Sequence, residues 1–397
     1  MYFSVRSSTL LQWQTCVDKI IIIHPSLPVT RIVFIVLSAA LLRILISLIT
    51  MARSKKTARK IGILTAGGDC PGINAAIRAV GKTAIAEYGM EIYGISSGFL
   101  GLIEKDYSIL EENQLSGILT FGGTILGTSR EKPYKKDNSG AGKSDKPKLI
   151  KKHYHEMGLD GLVCIGGNGT MRTAALLSEE GLNVIGLPKT IDNDVWGTDV
   201  TFGFDSAVWI ATDAIDRLHT TANSHKCIMV IELMGHHAGW LALYSGIAGG
   251  GDLILIPEIP FKEEVVAKHL LSRTKNKKPY SIVVVAEGIS KPKGISAAHF
   301  VSQSIQKYTG LETRETILGY IQRGGSPSPM DRILATRYGA YAVELIAENR
   351  FGQMVASQKG NITSVPLSDV GNKLKTIPSD FSLIEKARKM GISFGDK

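Results

Sequence analysis

From Lys60 onward, short apolar runs alternate with stretches of helical character, and this alternation restricts the fold more than any other feature of the chain. Strands separated in this way by helices form parallel sheets that are covered by helices on both faces. The sequence therefore predicts an α/β protein whose ligands bind beyond the carboxyl ends of the strands. The predicted strands are residues 61–65, 91–95, 161–165, 183–186, 226–233, 253–256 and 281–286.

The size and charge of the chain narrow the possibilities further. Its 397 residues are enough for two domains, each with its own core. The formal net charge is +10, and the basic residues concentrate in residues 53–60, 132–152 and 273–278. None of these stretches interleaves aromatic residues with a signature of a nucleic-acid-binding fold. We therefore expect no nucleic-acid partner, and we interpret these stretches as solvated loops and helix ends.

The cysteines indicate the redox environment of the chain. Cys16, Cys70, Cys164 and Cys227 are far apart in the sequence and form no CxxC pair. This spacing argues against a disulfide framework and against a common zinc site. A reducing, cytoplasmic location is the expectation that follows.

The first fifty residues differ from the rest. Residues 32–50 form an apolar run of about membrane-spanning length, interrupted only by Arg43 and a few hydroxyl residues. One interpretation is a membrane anchor. The interpretation we favour is that Met51 is the true start, because residues 51–68 have the form of a short polar lead into a first buried strand. Residues 1–59 are thus predicted to be an N-terminal extension. Membrane association is expected only if the apolar run of residues 32–50 is part of the translated protein.

Two glycine turns follow predicted strands and open predicted helices. The first contains Gly67, Gly68 and Gly72 and leads into a helix over residues 73–88; the second spans residues 166–170 and precedes a helix over residues 171–180. Glycine lets the backbone approach an anion closely, and a helix start offers free N–H groups and a positive dipole end. Either turn alone could serve only to reverse the chain. Together they predict a cradle for a polyphosphate, although neither matches the GxxxxGK[ST] pattern.

A third segment places two carboxylates directly after a strand. Residues 188–194 have the sequence PKTIDND, and Asp192 and Asp194 project to the same side if the segment is extended. One carboxylate can accept a hydroxyl proton while the other helps to hold a cation, which is the division that phosphoryl transfer to an alcohol requires. The alternative is a simple turn rich in Asp and Asn.

Two later segments carry further polar groups. Residues 234–240, MGHHAGW, form another glycine turn after an apolar strand. Adjacent histidines do not share a helix face and no further ligand cluster is near, so contact with a polar substrate is favoured over metal binding. Residues 313–325 contain Arg314 and Arg323, whose guanidinium groups suit a phosphate that must be held without reacting. Surface ion pairing is the alternative for each arginine.

Taken in this order, the segments closely resemble the ATP- or pyrophosphate-dependent 6-phosphofructokinase family. The resemblance covers residues 60–341 and depends on TIDND, DAIDRLHTTANSH, ELMGHHAGW and GYIQRGGSPSPMDR occurring together. It implies two Rossmann-like, three-layer α/β/α domains with the active site in the cleft between them. Residues 60–203 and 324–397 would bind the donor, and residues 204–323 the sugar phosphate. It also implies a homo-oligomer, a dimer or a tetramer, that uses Mg²⁺, a phosphoryl donor and fructose 6-phosphate.

The resemblance also assigns roles to individual residues. Asp192 would be the general base that takes the proton of the sugar 1-hydroxyl, with Thr190 beside it and Arg130 countering charge on the transferred group. Asn168 and Asp194 would hold the magnesium ion. The implied donor contacts are Gly68, Arg130, Gly167, Asn168, Gly169, Thr170 and Lys189. The implied sugar-phosphate contacts are Thr190, Asp192, Asp194, Met234, Gly235, His236, Glu287, Arg314, Tyr320 and Arg323.

Three positions depart from the family pattern. Asn168 replaces an aspartate that binds magnesium in many members, and a neutral amide is a weaker ligand for a hard cation. His236 and Cys227 stand where members carry arginines, the second of which usually comes from the neighbouring subunit. Weaker substrate binding is expected, and a non-catalytic regulatory relative is the alternative.

Two residues bear on the identity of the donor. Gly169 leaves room for the α-phosphate of a nucleotide, whereas pyrophosphate users typically carry aspartate there. Lys189 favours the opposite conclusion, because pyrophosphate users carry lysine at that position. Members with both residues form a mixed group. Since the space at Gly169 is the more restrictive condition, we predict ATP as the donor, with pyrophosphate as the alternative.

Overall fold

Two sheets organise the part of the chain that the computed structural model describes, which is residues 59–135 and 145–397. The whole apolar run of residues 32–50 and all of the predicted extension except Arg59 lie outside these residues, as does the middle of the basic stretch at residues 132–152. No helix within the described ranges is both long enough and apolar enough to cross a membrane.

The bounds of the elements, in chain order, are as follows. The strands are β1 Lys60–Thr65, β2 Glu91–Ile95, β3 Tyr107–Ile109, β4 Gly161–Gly166, β5 Val184–Pro188, β6 Ile228–Leu233, β7 Leu253–Leu255, β8 Ser281–Ala286, β9 Thr313–Ile317, β10 Gln353–Gln358 and β11 Asn361–Pro366. The α-helices are α1 Ile73–Tyr88, α2 Phe99–Glu104, α3 Lys146–Glu156, α4 Asn168–Glu179, α5 Phe204–His225, α6 Trp240–Ala248, α7 Glu263–Lys275, α8 Ala297–Thr309, α9 Pro329–Ala347, α10 Leu367–Val370 and α11 Ser382–Lys389.

The first sheet has seven strands in the order β11-β10-β5-β4-β1-β2-β3. Its strands from β10 to β2 are parallel, and the two edge strands β11 and β3 run antiparallel to their neighbours. Every residue of β4 and β5 is buried. Burial of whole strands is expected for a parallel sheet covered on both faces, which is why these segments are continuous apolar runs.

The second sheet has four parallel strands in the order β7-β8-β6-β9. The central strands β6 and β8 are fully buried, whereas no residue of the edge strand β9 is fully buried. β9 has the sequence TRETI, and its polar residues explain why it is not among the strands predicted from apolar runs.

The predicted α/β class with mostly parallel sheets is confirmed. All seven predicted strands are present, with bounds that differ by up to two residues. Helix α4 begins at Asn168, three residues before its predicted start, because Gly167 is its extended N-cap. The predicted α1 has the observed bounds.

The tail is more ordered than its sequence indicates. The pattern of apolar runs loosens after Glu344, and the assignment of residues 324–397 to the donor-binding domain predicts that the tail lies on the first sheet. Strands β10 and β11 do extend the first sheet. The last residues, however, contact the second sheet, where Ser393 pairs with Leu253 and the Ser393 carbonyl accepts from the Ile254 N–H at 2.9 Å. The tail therefore contacts both sheets, and the proposed domain boundaries stay a prediction.

Candidate active site

The turn after β1 brings three distant segments together. The Gly67 N–H donates to the Ser129 carbonyl at 2.9 Å, and Thr128 Oγ1 donates to the Gly67 carbonyl at 2.7 Å. At Gly68, an added Cβ would lie 2.5 Å from Nη1 of Arg323, so only glycine leaves room for that guanidinium group. Nη1 also donates to the Asp69 carbonyl at 3.0 Å. Gly68 and Arg323 thus belong to one site, and Arg130 follows Ser129 with an exposed side chain.

The second glycine turn lies beside the first because β4 pairs with β1. The Ala66 N–H donates to the Ile165 carbonyl at 3.0 Å, and Thr170 Oγ1 donates to the Ala66 carbonyl at 3.4 Å. Gly167 caps α4, so the first N–H groups of that helix have no partner within the helix. An added Cβ at Gly169 would meet nothing within 4 Å. The two turns therefore form adjoining concave backbone surfaces, with open space at Gly169.

Lys189 is buried between these turns. Its Nζ donates to the Gly68 carbonyl and, at 3.4 Å, to the Ala66 carbonyl. Burial lowers the pKa of this ammonium group. In the family comparison, lysine at this position favours pyrophosphate. In the structure, the ammonium group binds the backbone of the first turn, because the side chain is only 2% exposed and must pair with acceptors inside the protein.

The loop after β5 carries the two carboxylates. Thr190 Oγ1 accepts from the Asp192 N–H at 3.1 Å. Asp192 Oδ1 is buried and accepts no hydrogen bond from any residue that the structure describes. Burial raises the pKa of Asp192, the Arg323 guanidinium opposes that shift, and the Glu287 carboxylate adds to it. A buried, unpaired carboxylate oxygen is costly unless a ligand provides its partner.

Asp194 lies on the same loop, next to the second glycine turn. Burial, followed by the negative charge of Asp192, raises its pKa to about 6. Asn168 Nδ2 donates to the Asp194 backbone carbonyl at 3.2 Å, and Asn168 Oδ1 is buried with no partner among the described residues. The structure thus brings the two residues predicted to hold magnesium into contact.

The opposite side of the site is built on the second sheet. The Met234 N–H donates to Gln322 Oε1 at 3.0 Å, and the His236 N–H donates to Glu287 Oε1 at 2.9 Å. Gly235 has φ of 140°, and an added Cβ would lie 2.6 Å from the Ala238 carbonyl oxygen. The turn between β6 and α6 therefore requires glycine at position 235. Gln322 and Glu287 hold this turn by accepting from the Met234 and His236 N–H groups.

Gln322 is a site residue that sequence reasoning missed. It is fully buried, and its Nε2 has no partner among the described residues. A neutral amide between Ile321 and Arg323 carries no chemical signal of its own in the sequence. Only the structure reveals that it connects the MGHHAGW turn to the arginine segment.

The two arginines of residues 313–325 are in different environments. Arg323 is partly buried against the first glycine turn, as described above. Arg314 lies on β9 with an exposed side chain, and its Nη2 pairs with Glu312 Oε1 at 3.0 Å. Tyr320 is also exposed, at 71%. Of these two arginines, Arg323 interacts electrostatically with Asp192 of the carboxylate loop, whereas Arg314 pairs with Glu312.

The oxygen groups near Asp194 fit a magnesium ion held mainly by its substrate. No group of three His, Cys, Asp or Glu residues within the described ranges could hold a metal ion alone. Mg²⁺ typically needs only one or two protein carboxylates, since waters and substrate phosphates complete its coordination. The unpartnered Asn168 Oδ1 and the Asp194 carboxylate provide a donor set of that kind.

Comparison with known proteins decides the family. The family model named Phosphofructokinase matches residues 60–346. The chain belongs to the phosphofructokinase family. It is 60% identical to ATP-dependent 6-phosphofructokinase 3 of Bacteroides thetaiotaomicron over 85% of this chain and all of that protein. It is 57% identical to ATP-dependent 6-phosphofructokinase of Spirochaeta thermophila over 85% of this chain and 98% of that protein.

Solved phosphofructokinases share the fold. The phosphofructokinase of Pichia pastoris in the T-state superposes with a TM-score of 0.73 at 32% identity, over 85% of this chain and 37% of that longer chain. The pyrophosphate-dependent phosphofructokinase of Nitrosospira multiformis superposes with a TM-score of 0.75 at 23% identity, over 85% of this chain and 92% of that one. The second similarity concerns the fold alone.

Proposed function

We propose that this phosphofructokinase transfers a phosphoryl group from ATP to the 1-hydroxyl of fructose 6-phosphate, giving fructose 1,6-bisphosphate and ADP in glycolysis. The observation that carries the proposal is the Asp192 carboxylate. Its Oδ1 atom is buried without a partner among the residues that the structure describes, and the carboxylate interacts electrostatically with Arg323 and Glu287. A hydroxyl group of a substrate is the partner that this oxygen lacks.

The chain's own groups account for the proton and the charge. Asp192 accepts the proton of the 1-hydroxyl as the sugar oxygen forms its bond to the γ-phosphorus. The bond between that phosphorus and the β,γ-bridging oxygen breaks, and ADP leaves with the electron pair. Thr190 fixes the backbone of Asp192, and Arg323 and Arg130 counter the negative charge that the site gathers.

Magnesium and the donor bind on the first-sheet side in this proposal. Asp194 and Asn168 would hold Mg²⁺, which would neutralise charge on the donor phosphates. The free N–H groups at the start of α4, together with Gly167 and Thr170, would face those phosphates. Residues 60–203 and 324–397 then form the donor-binding domain, and residues 204–323 bind the sugar phosphate through Met234, Gly235, His236, Glu287, Arg314, Tyr320 and Arg323.

ATP is the favoured donor for two reasons. An added side chain at Gly169 would find open space, so the volume that a nucleotide needs is free there. The relatives at 57% to 60% identity are both named ATP-dependent. Lys189 is the residue that favours pyrophosphate in the sequence. Its ammonium group donates to the Ala66 and Gly68 carbonyls of the first glycine turn. Pyrophosphate is therefore the second candidate.

The experiment is an assay of the purified protein with fructose 6-phosphate, comparing ATP with pyrophosphate at equal magnesium. We expect fructose 1,6-bisphosphate to form with a specificity constant at least about tenfold higher for ATP than for pyrophosphate. A preference for pyrophosphate would overturn the donor assignment. No product with either donor, from protein that binds fructose 6-phosphate, would support the non-catalytic alternative.

We further propose a homo-oligomer, a dimer or a tetramer, in a reducing cytoplasmic location. Exposed apolar side chains cluster around the edge strand β9, where Ile317 is 53% and Ile321 is 68% exposed. An exposed edge strand with apolar side chains is suited to a subunit contact. Cys70, Cys164 and Cys227 are free and buried, as expected for a reducing compartment.

A further inference from the structure

Lys375 lies in the tail between α10 and α11, far in sequence from every motif of the site. The tail nevertheless runs beside the loop of residues 190–201, which carries Asp192 and Asp194. Leu374 pairs with Val195 in an antiparallel bridge, and the Lys375 N–H donates to the Asp194 carbonyl at 2.8 Å. The tail therefore lies directly against the backbone of the carboxylate loop.

The side chain of Lys375 closes that loop. Its Nζ donates to Asn193 Oδ1 at 2.9 Å, to the Thr198 carbonyl at 3.0 Å and to the Asp199 carbonyl at 2.9 Å. An ammonium group has three N–H donors, so all three are used within this one loop. The three acceptors lie on both halves of the loop, and the ammonium group connects them across it.

Asn193 shows why such a connection is needed. This residue lies between the two carboxylates and has φ of 50°, in the left-handed region that side chains other than glycine rarely adopt. Its Oδ1 accepts from the Thr201 N–H at 3.1 Å as well as from Lys375. A strained conformation persists only where surrounding contacts determine it. Lys375 is thus one of two donors to Asn193 Oδ1, while Asn193 Nδ2 donates to the Asp199 carbonyl at 3.4 Å.

The same tail residues also bind the second-sheet side of the site. Trp240 Nε1 donates to the Lys375 carbonyl at 2.9 Å, and Lys375 Nζ lies 5.3 Å from the centre of the Trp240 ring. Two residues further on, the Ile377 N–H donates to Glu258 Oε1 at 3.1 Å, and the same oxygen accepts from the Gly239 N–H at 3.0 Å. Gly239 and Trp240 end the MGHHAGW turn and begin α6. The tail thus connects this turn to the carboxylate loop.

We propose that Lys375 is a positioning residue of the active site, which holds the loop of residues 190–201 in its reactive shape and fixes it relative to the MGHHAGW turn. The inference rests on the proposed function, because it assigns Lys375 a part in that reaction through Asp192 and Asp194. Lys375 does not touch substrate in this role. Its loss misplaces the base without removing a substrate contact.

The test compares Lys375→Met with Lys386→Met in the otherwise intact chain. Lys386 is the control, because it is an exposed lysine of the same tail that lies on α11. We expect Lys375→Met to lower kcat by about ten- to a hundredfold, since small misplacements of a catalytic group have effects of that size. The KM for fructose 6-phosphate should change by less than about threefold, because no ground-state contact is lost. Lys386→Met should match wild type in both kcat and KM.

A rescue experiment separates positioning from general loss of structure. Lys375→Ala should recover part of its kcat when propylammonium is added, because that cation matches the side-chain atoms beyond Cβ that the variant lacks and can donate to the same acceptors. Tetramethylammonium, which has no N–H group, should not restore kcat. Unfolding temperature measured by circular dichroism records any loss of stability in each variant.

The outcomes distinguish this inference from the proposed function. Inactive wild type would contradict the proposed function, whatever the variants do. Active wild type with unchanged kcat in Lys375→Met would overturn the positioning role. A rise in KM at constant kcat would overturn it as well, because that result indicates a substrate contact. A fall in kcat without any recovery by propylammonium would attribute the defect to lost structure and count against the inference.

Discussion

The carboxylate loop and the edge strand β9 both carry residues assigned to the site, but they are built in opposite ways. Most of the loop of residues 190–201 is buried or half-buried, and it is closed by its own hydrogen bonds, by Lys375 and by Thr201, whose Oγ1 donates to the Thr190 carbonyl at 2.8 Å. Most of strand β9 is exposed, and Arg314 on it forms an ion pair with Glu312, two residues earlier. The proposed reactive groups are thus preorganised within one chain, whereas the proposed sugar-phosphate contact Arg314 is exposed in it. The difference predicts that changes in the loop affect kcat, and that changes on β9 affect KM.

The largest effect is expected for Asp192→Asn. Loss of a general base typically lowers kcat by about a hundred- to ten-thousandfold, while sugar-phosphate binding is largely kept. The measurement is steady-state turnover together with titration calorimetry of fructose 6-phosphate. Asp380→Asn, an exposed change in the tail, is the control and should have no effect. Unchanged turnover in Asp192→Asn would remove this residue from the mechanism.

A somewhat smaller effect is expected at Gly169. In Gly169→Asp, the carboxylate occupies the volume of the α-phosphate and repels its charge, so the specificity constant for ATP should fall by about a hundredfold. Gly169→Ala is the matched control, because its Cβ meets nothing within 4 Å and carries no charge. The comparison uses ATP and pyrophosphate with both variants. If Gly169→Asp used ATP as well as wild type does, the donor assignment would fail even though the family assignment stands.

Arg314→Ala tests the open side of the site. Loss of one charged hydrogen bond to the sugar phosphate should raise the KM for fructose 6-phosphate by about tenfold and leave kcat within about twofold. Arg350→Ala is the control, since Arg350 is an exposed arginine that pairs with a glutamate two residues earlier in the same way. A fall in kcat at constant KM would show that β9 acts on the reaction itself, which would contradict the comparison.

The smallest effect concerns pH. A raised pKa keeps a carboxyl group protonated up to a higher pH, so activity that needs the carboxylate is lost as the pH falls. Burial and Asp192 raise the pKa of Asp194 to about 6, and burial also raises that of Asp192. We expect kcat/KM to halve near pH 6, where an unshifted aspartate with a pKa of about 4 would still be ionised.

The control for the pH experiment is the residual activity of Asp194→Asn, which retains the ionisation of the substrate phosphate. The pH profile of kcat/KM for this variant should lose the contribution of residue 194 and keep the contributions of the other ionising groups. Identical profiles for wild type and Asp194→Asn would assign the whole pH dependence to other groups.

Much of this arrangement could be predicted from the sequence. Apolar runs identify β1, β4, β5, β6 and β8, because a strand buried on both faces must be apolar throughout. Glycines at 67, 68, 166, 167 and 169 mark the turns, since these positions permit a close backbone approach. Asp192 could be singled out because it follows a predicted buried strand together with Asp194, and Arg323 because it lies in the motif GYIQRGGSPSPMDR.

Other parts could not be predicted because their signal is not local. β9 is polar, and β10 and β11 follow a loosened pattern, so neither periodicity nor composition indicates that they join the sheets. Gln322 and Lys375 look like ordinary polar residues in the sequence. Gln322 accepts a hydrogen bond from Met234, which is 88 positions away in the sequence. Lys375 donates one to Asn193, which is 182 positions away.

The sequence by itself determined the α/β class, the two glycine turns, the carboxylate pair and the resemblance to phosphofructokinases, because each depends on residue types at short spacing. Only the tertiary structure decided which of these groups meet. It places Lys189 on the backbone of the first turn, Arg323 beside Gly68 and Lys375 on the carboxylate loop. The physical reason is that a buried cation takes whichever acceptors the packed chain presents, and packing is a property of the whole fold.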